Sequence, residues 1–382
     1  MQSILDFIGK KNCVGCSACV NICPKHCLKM GPDEEGFLYP ILDAERCVNC
    51  QKCYHVCPEN KYEVYEGVHE PSVYAAKAKG KVREESSSGG IFSLLAETVL
   101  ADGGVVFGAA FDTNCTVIHR MVKRKEDLSQ LRGAKYVQSQ LGDTYSEVKL
   151  QLEHGKKVLF SGTPCQVYGL QCFLQTEYEN LFLVDIVCHG VPSPLVWQKY
   201  LEGRGKGQNG MPQKVNFRDK VSGWSRYGYS VTYESVNGKR EIIPNKQDLF
   251  MQGFVKNVYL RPCCGQCEYK FLSRKCDITL GDYWGIWNQA PEMDDNKGTS
   301  LVLVHSEKGK GLWNQIGSLM EFKEMDAALA IEENPSVFMA SREFEKRAEF
   351  FRYLKEGRTF QEAERKVFEI SIIKRVWHRL FP

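Results

Sequence analysis

Hydrophobic and polar positions along this chain follow two periods. Behind Ser86-Ser-Ser-Gly-Gly90, apolar residues from Ile91 to Leu100 recur at helical spacing and stop at Gly103-Gly104, which predicts a helix with a glycine-rich start. Val105–Phe111 is then a continuous apolar run, as expected of a buried strand. Two strand–loop–helix units follow. Lys157-Val-Leu-Phe160 leads into Ser161-Gly-Thr-Pro-Cys165 and a helix from about Gln166. Leu181–Val187 leads into Cys188-His-Gly-Val-Pro192 and a helix from about Pro194. Such apolar strands alternating with helices predict a mainly parallel sheet covered on both faces. Ligands collect at the carboxyl ends of strands in these sheets, where Cys165 and Cys188 sit.

From about residue 213 the pattern becomes antiparallel. Tyr227–Tyr233 and Lys239–Ile243 flank Asn237-Gly238, a hairpin signal. Asp277–Gly285 reads as a strand running into a glycine turn. Near the start of the chain, residues 27–30, 31–36 and 37–41 read as strand, turn and strand, and residues 342–382 read as charged and helical. The expected fold is an α+β module over residues 1–62, then an α/β domain with a mixed, partly parallel sheet over 63–300. A mostly helical tail follows over 301–382.

Composition narrows the function. The 382 residues are 43% hydrophobic with a net charge of +3, so nothing global argues for nucleic acid or a membrane surface. No apolar run approaches the ~20 residues of a membrane span, and the first ten residues do not read as a signal peptide. The 17 cysteines are expected to be ligands in a reducing cytoplasm rather than disulfide staples.

Their spacing says which ligands. Cys13-x2-Cys16-x2-Cys19-x3-Cys23-Pro24 recurs as Cys47-x2-Cys50-x2-Cys53-x3-Cys57-Pro58. In this pattern each triplet wraps one [4Fe–4S] cluster and the Cys before Pro reaches the other. One cluster is expected on Cys13, Cys16, Cys19 and Cys57, its partner on Cys47, Cys50, Cys53 and Cys23. Zinc knuckles use close pairs, not triplets closed by Cys-Pro.

Cys264-Gly-Gln-Cys267 is a further pair. With Cys165 and Cys188 on strand-end loops it would complete a third four-iron site, the alternative being four unrelated buried thiols. Cys263 and Cys276 are spare candidates. Ser87, Ser88, Gly89 and Gly90, ahead of a helix, form a candidate phosphate cradle, although they would equally serve as an over-capped helix start. Gly162, Thr163 and the glycine-bracketed Gly281-Asp-Tyr-Trp-Gly285 would let backbone approach a ring system. Lys135 is a candidate partner for a phosphate or ring oxygen, or simply a surface lysine.

Taken in order, Ser86–Ser93, Ala134–Ser139, Ser161–Gln166, Asp185–Gly190 and Asp277–Gly285 resemble the coenzyme F-420 hydrogenase/dehydrogenase beta-subunit family, in bacterial members with a fused two-cluster ferredoxin domain. The resemblance covers roughly residues 1–300. It implies that the α/β domain binds FAD, with a cluster beside it on Cys165, Cys188, Cys264 and Cys267. Cys263 and Cys276 depart from the family pattern.

A flavin exchanges a hydride for single electrons. The expected function is therefore an oxidoreductase coupling hydride transfer at FAD, from coenzyme F-420 or another organic carrier, to electron transfer through three clusters. Lys135, His189 and Asp282 are the catalytic candidates; the plainer roles are a surface lysine for Lys135, a hydrogen bond to the neighbouring loop for His189, and holding its own turn for Asp282. Trp284 and Trp287 would stack on the flavin or sit in the core. A redox partner protein and homo-oligomerisation are expected. The alternative is an electron-transfer subunit, with the basic C-terminal end as the docking segment.

Overall fold

A computed structural model of the chain describes residues 3–60, 64–205, 210–224 and 228–368. The basic C-terminal end and Tyr227 lie outside the described residues. The N-terminal module is an antiparallel hairpin of β1 (Leu28–Pro32) and β2 (Leu38–Leu42), with Leu28 opposite Leu42. Each cysteine triplet runs into a single helical turn, Ala18–Asn21 or Lys52–His55. Ser17 and Gln51 enter these turns with left-handed backbones, at φ 62° and 56°, so the two motifs fold alike.

The rest of the chain is organised by an eight-stranded sheet. Its elements in chain order are β3 (Ser72–Ala78), α1 (Ile91–Ala101), β4 (Val105–Phe111), β5 (Val117–Val122), α2 (Thr144–Glu153), β6 (Val158–Gly162), α3 (Pro164–Leu174), β7 (Leu181–Ile186) and α4 (Pro194–Gly205). A separate antiparallel sheet comes next, made of β8 (Pro212–Asp219), β9 (Ser230–Ser235) and β10 (Arg240–Pro244). After it come α5 (Leu249–Val255), β11 (Ile278–Asp282), β12 (Ser300–Val304), α6 (Glu307–Gln315), β13 (Met320–Glu324), α7 (Arg347–Lys355) and α8 (Phe360–Phe368).

The large sheet has the order β13-β3-β12-β11-β7-β6-β4-β5. Its centre, β11-β7-β6-β4, is parallel. The strands on both flanks are antiparallel. The parallel strands are buried Val, Leu, Ile and Phe runs, which need helices on both faces. α3 starts at Pro164 behind Thr163, whose backbone N–H donates to Gln166 Oε1 at 3.0 Å in a capping box. The Gly162-Thr-Pro loop is thus pinned at the strand end.

The expected boundary at residue 300 falls inside this sheet. Ser300–Val304 is buried at every position and pairs with both β11 and β3, and β13 adds the outer edge. The reason is register: an apolar five-residue run beside β11 finds its hydrogen bonds only there. Beyond β13 the chain is helical, and Phe350 and Phe360 join the core around Trp197, Tyr200 and Phe250. The N-terminal module is anchored to this body. Arg347 forks onto Glu35, Gln138 Nε2 donates to Val14 O at 3.2 Å, and Arg261 donates to Cys13 and Leu38 carbonyls at 2.8 and 3.0 Å.

Candidate functional site

Four hollows define the site. Cys13, Cys16, Cys19 and Cys57 line one small cavity in the N-terminal module. Cys23, Cys47, Cys50 and Cys53 line a second, the same division that the motif spacing predicts, and Cys27 joins them with its sulfur 3.3 Å from Cys23 Sγ. In the sequence Cys27 reads only as the start of a strand.

A third cavity, of about 270 Å3, is lined by Cys165, Cys188, Cys264 and Cys267, and by Cys263. α3 supplies Cys165 in its first turn, the loop after β7 supplies Cys188, and a 3-10 turn at Pro262–Gln266 and the residue after it carry the rest. Burial pushes the Cys165 thiol far up, and the neighbouring Cys267 and Cys188 add to it. Burial likewise pushes Cys188 up to about 12. A hydrogen bond from Cys263 instead draws Cys264 down to about 7. Apart from Cys264, these crowded thiols hold their protons tightly unless a cation shares the space, which is the chemistry of a metal-cluster donor set. Among the described residues, no three His, Cys, Asp or Glu converge on one point as a single ion requires. In all three places the thiols line a common cavity. Cys276 does not line the third cavity; it is buried near Thr279, with its sulfur 3.6 Å from Oγ1.

The largest hollow, about 480 Å3, opens at the carboxyl ends of the parallel strands. A volume of ~300–1,000 Å3 is typical of ligand and cofactor pockets. Its wall includes Ser87, Ser88, Gly90, Lys135, Gly162, Thr163, His189, Gly281 and Asp282, so the expected residues meet in space although they are spread from the first strand of the sheet to the fourth of its parallel centre.

Their roles differ in detail from those expected. Each cradle hydroxyl makes one hydrogen bond to the protein and keeps capacity for another: Ser87 Oγ accepts from Ala134 N at 2.7 Å, and Ser88 Oγ donates to Thr299 O at 3.1 Å. Gly89 does not face the hollow. Its N–H donates to Ser300 Oγ at 3.0 Å, and it lies too close to β3 and β12 to carry a Cβ. The loop therefore offers the cavity backbone, space and the Ser87 O–H donor. Lys135 Nζ donates to the carbonyls of Gln130, Leu131 and Arg132 at 3.3, 2.9 and 2.7 Å. Burial pulls Lys135 down to about 7, while the three carbonyls favour its protonated form. It holds the 131–135 loop against the cavity. His189 Nε2 lies 2.6 Å from Asn257 Oδ1, and burial lowers its pKa. Its ring stands between the large hollow and the third cysteine cavity, both of which it lines.

Arg218 was missed. It stands in β8, where nothing in the sequence marks it, is 2% exposed, and pairs with Asp282 through Nη2 at 2.9 Å. Its guanidinium lies 3.8 Å from the Tyr229 ring centre and 4.8 Å from that of Trp284. Arg218 Nε is a buried donor without a hydrogen-bond partner among the described residues. His119, which lines the same hollow, has Nε2 3.1 Å from Ser161 O, while Nδ1 is buried without a partner among the described residues. Burial pulls His119 down to about 4, so Nδ1 is an acceptor. A buried donor and a buried acceptor left over in one cavity fit a heteroaromatic ligand carrying both functions. Trp284 lines the cavity and stacks on Trp224 at 5.3 Å and 8°. Trp287 packs in the core beside it.

Comparison with known proteins follows the same division. Residues 12–61 match the 4Fe-4S dicluster domain, and residues 155–328 match the C-terminal region of the beta subunit of coenzyme F420 hydrogenase/dehydrogenase. Among solved structures, a chain of the F420-reducing [NiFe] hydrogenase complex from Methanosarcina barkeri, studied with xenon, is similar at 18% identity and a TM-score of 0.49. The similarity covers 72% of this chain and 92% of that one. No curated protein sequence matches. Among the described residues, no helix is long and apolar enough to cross a membrane.

Proposed function

Residues 12–61 are a 4Fe–4S dicluster domain and residues 155–328 belong to the coenzyme F420 hydrogenase/dehydrogenase beta-subunit family, and from that premise we propose an FAD-dependent iron–sulfur oxidoreductase. The large hollow would hold the flavin and the five-cysteine cavity a third cluster. When bound, the flavin supplies the exchange between a hydride and single electrons, and the clusters supply one-electron transfer.

The observation that carries this reading is that the four hollows form one row with shared walls. Cys188, His189, Gly190 and Val191 line both the large hollow and the third cysteine cavity. Val14 and Glu59 line both that cavity and the first ferredoxin cavity. Ile4 lies between the two ferredoxin cavities. At the far end Cys50 is exposed, with Val48 57% and Phe7 48% exposed beside it. A buried organic site at one end and an exposed thiol site at the other suit a converter that meets a small hydride carrier inside and a protein partner outside.

The chain's own residues have separable tasks. Gly162 and Gly281 keep the strand ends open, because a Cβ on Gly281 would lie 2.7 Å from Val187 Cγ2. The Arg218–Asp282 pair leaves Nε free for an anionic or carbonyl group. His189, tied to Asn257, orients the loop that carries Cys188. Leu131, Met251 and Phe254 exclude water. Coenzyme F-420 is one carrier for such a site; nicotinamide is another.

Iron and flavin content per chain, on anaerobically purified protein, tests the reading. Three clusters mean about 12 iron atoms, with one FAD. About eight iron atoms and no flavin after reconstitution would overturn it, leaving an electron carrier docked to a partner enzyme.

A further inference from the structure

Buried arginines in this protein come with carboxylates. Arg83 pairs with Asp295, Arg218 with Asp282, Arg274 with Asp185 and Arg347 with Glu35. Arg261, 1% exposed, makes no ion pair with a carboxylate among the described residues. Its donors go to neutral oxygens: Nε to Cys13 O at 2.8 Å, Nη1 to Gln138 Oε1 at 2.9 Å, and Nη2 to Leu38 O at 3.0 Å. Tyr39 presents its ring 4.3 Å from the guanidinium carbon. Hydrogen bonds to neutral groups do not neutralise a buried cation, which is strongly destabilising when left uncompensated.

The anionic groups it can meet are thiolates. Its guanidinium fills the space inside the Cys13–Cys16 loop: a Cβ on Gly15 would lie 2.9 Å from Nη1. On the other side its own carbonyl accepts from Cys264 N at 2.9 Å, at the turn that carries Cys263, Cys264 and Cys267. The residue thus joins a segment that lines the first ferredoxin cavity, through its side chain, to the turn that lines the third cysteine cavity, through its backbone.

We propose that Arg261 is a counter-cation shared by the clusters of these two cavities and that it raises the reduction potential of both. The proposal rests, for the third cavity, on the reading above; for the first it rests only on the dicluster domain. Reduction adds one negative charge to a cluster, and a cation fixed nearby in low dielectric favours the more negative state. The outer cluster of Cys23, Cys47, Cys50 and Cys53 lies beyond the first and serves as an internal reference. Arg261 is a positioning and tuning residue, not a catalytic one.

The test is a redox titration, followed by electron paramagnetic resonance, of full-length reconstituted protein with iron counted first. In Arg261→Gln the inner ferredoxin cluster should become at least tenfold harder to reduce, about 59 mV for a one-electron couple, with the outer cluster unmoved. Arg261→Lys, which keeps the charge and loses the fork, should recover at least half of that shift. Unchanged potentials in Arg261→Gln with full iron would overturn the proposal, as would an equal shift of all clusters. If Arg261→Gln fails to retain iron, full iron and near-native potentials in Arg261→Lys support the role of charge; iron loss there too refutes it. An iron count of eight in the unaltered protein sinks the third cluster alone, and the shift of the inner ferredoxin cluster then decides the proposal.

Discussion

Gly89 offers a sharp perturbation of the large cavity, because its backbone is unstrained and only space forbids a side chain. A Cβ there would run into the carbonyl of Ala76 in β3 and come 2.7 Å from Ser300 N and 2.9 Å from Ser300 Oγ in β12. Both strands lie inside the sheet and cannot recede, so in Gly89→Ala the Ser86–Gly90 loop must lift by on the order of 1 Å to reach ordinary carbon–oxygen distances. Lifting breaks the Gly89 N–H bond to Ser300 Oγ, about 0.5–1.5 kcal/mol, and overpacking adds about 1–3 kcal/mol. The sum, about 1.5–4.5 kcal/mol, divides between folding and cofactor retention. We expect flavin affinity at least tenfold weaker, about 1.4 kcal/mol, by fluorescence titration, and a lower urea midpoint. Gly311→Ala in α6 is the control, since a Cβ there meets nothing within 4 Å. It should leave flavin content unchanged and stability equal or slightly higher. Native flavin affinity and a native midpoint in Gly89→Ala would refute the space argument.

Two other substitutions test separate parts of the molecule. Cys165→Ser should lower iron from about 12 to about eight atoms per chain while the ferredoxin pair stays intact; because Cys263 lines the same cavity, the Cys165→Ser/Cys263→Ser double variant excludes a substitute ligand, and a full iron count in that variant would show that Cys165 is no ligand. His305→Gln tests a half-buried neutral histidine. Burial, with the Arg274 guanidinium beside it, pulls His305 down to about 3. Its stabilising effect is therefore complete above the unfolded value of about 6.5 and is lost as pH falls toward the folded one. Between about pH 6.5 and 5.5 the native protein should lose about 1 kcal/mol more than the variant in urea unfolding; equal losses would count against a neutral buried ring.

The parts of this protein that were legible in the chain are those made by neighbours in sequence. The doubled cysteine motif announces its crossed grouping, because a triplet at spacing three folds as one turn and the following Pro turns the fourth Cys away. Val105–Phe111 and the Thr163-Pro-Cys-Gln166 helix start were equally plain, the first from an unbroken apolar run and the second from a cap and Pro at the first helical position. The boundary at residue 300 failed because β12 and β13 are identified by the strands they pair with, β11 and β3, rather than by their own composition. Arg218, His119 and Arg261 carried no local signal at all.

The sequence by itself determined the cluster chemistry and the parallel core, both of which follow from short-range spacing and side-chain period. Only the tertiary structure decided what lies against what. It ties the hydroxyls of Ser87 and Ser88 to Ala134 and Thr299, turns Lys135 back onto its own loop, and brings Arg218 and His119 to one cavity. It also gives Arg261 no carboxylate partner among the described residues while tying it to Cys13 and Cys264. Burial is the physical reason. A polar group's role depends on which partners remain once water is gone, and those partners come from segments far apart in the chain.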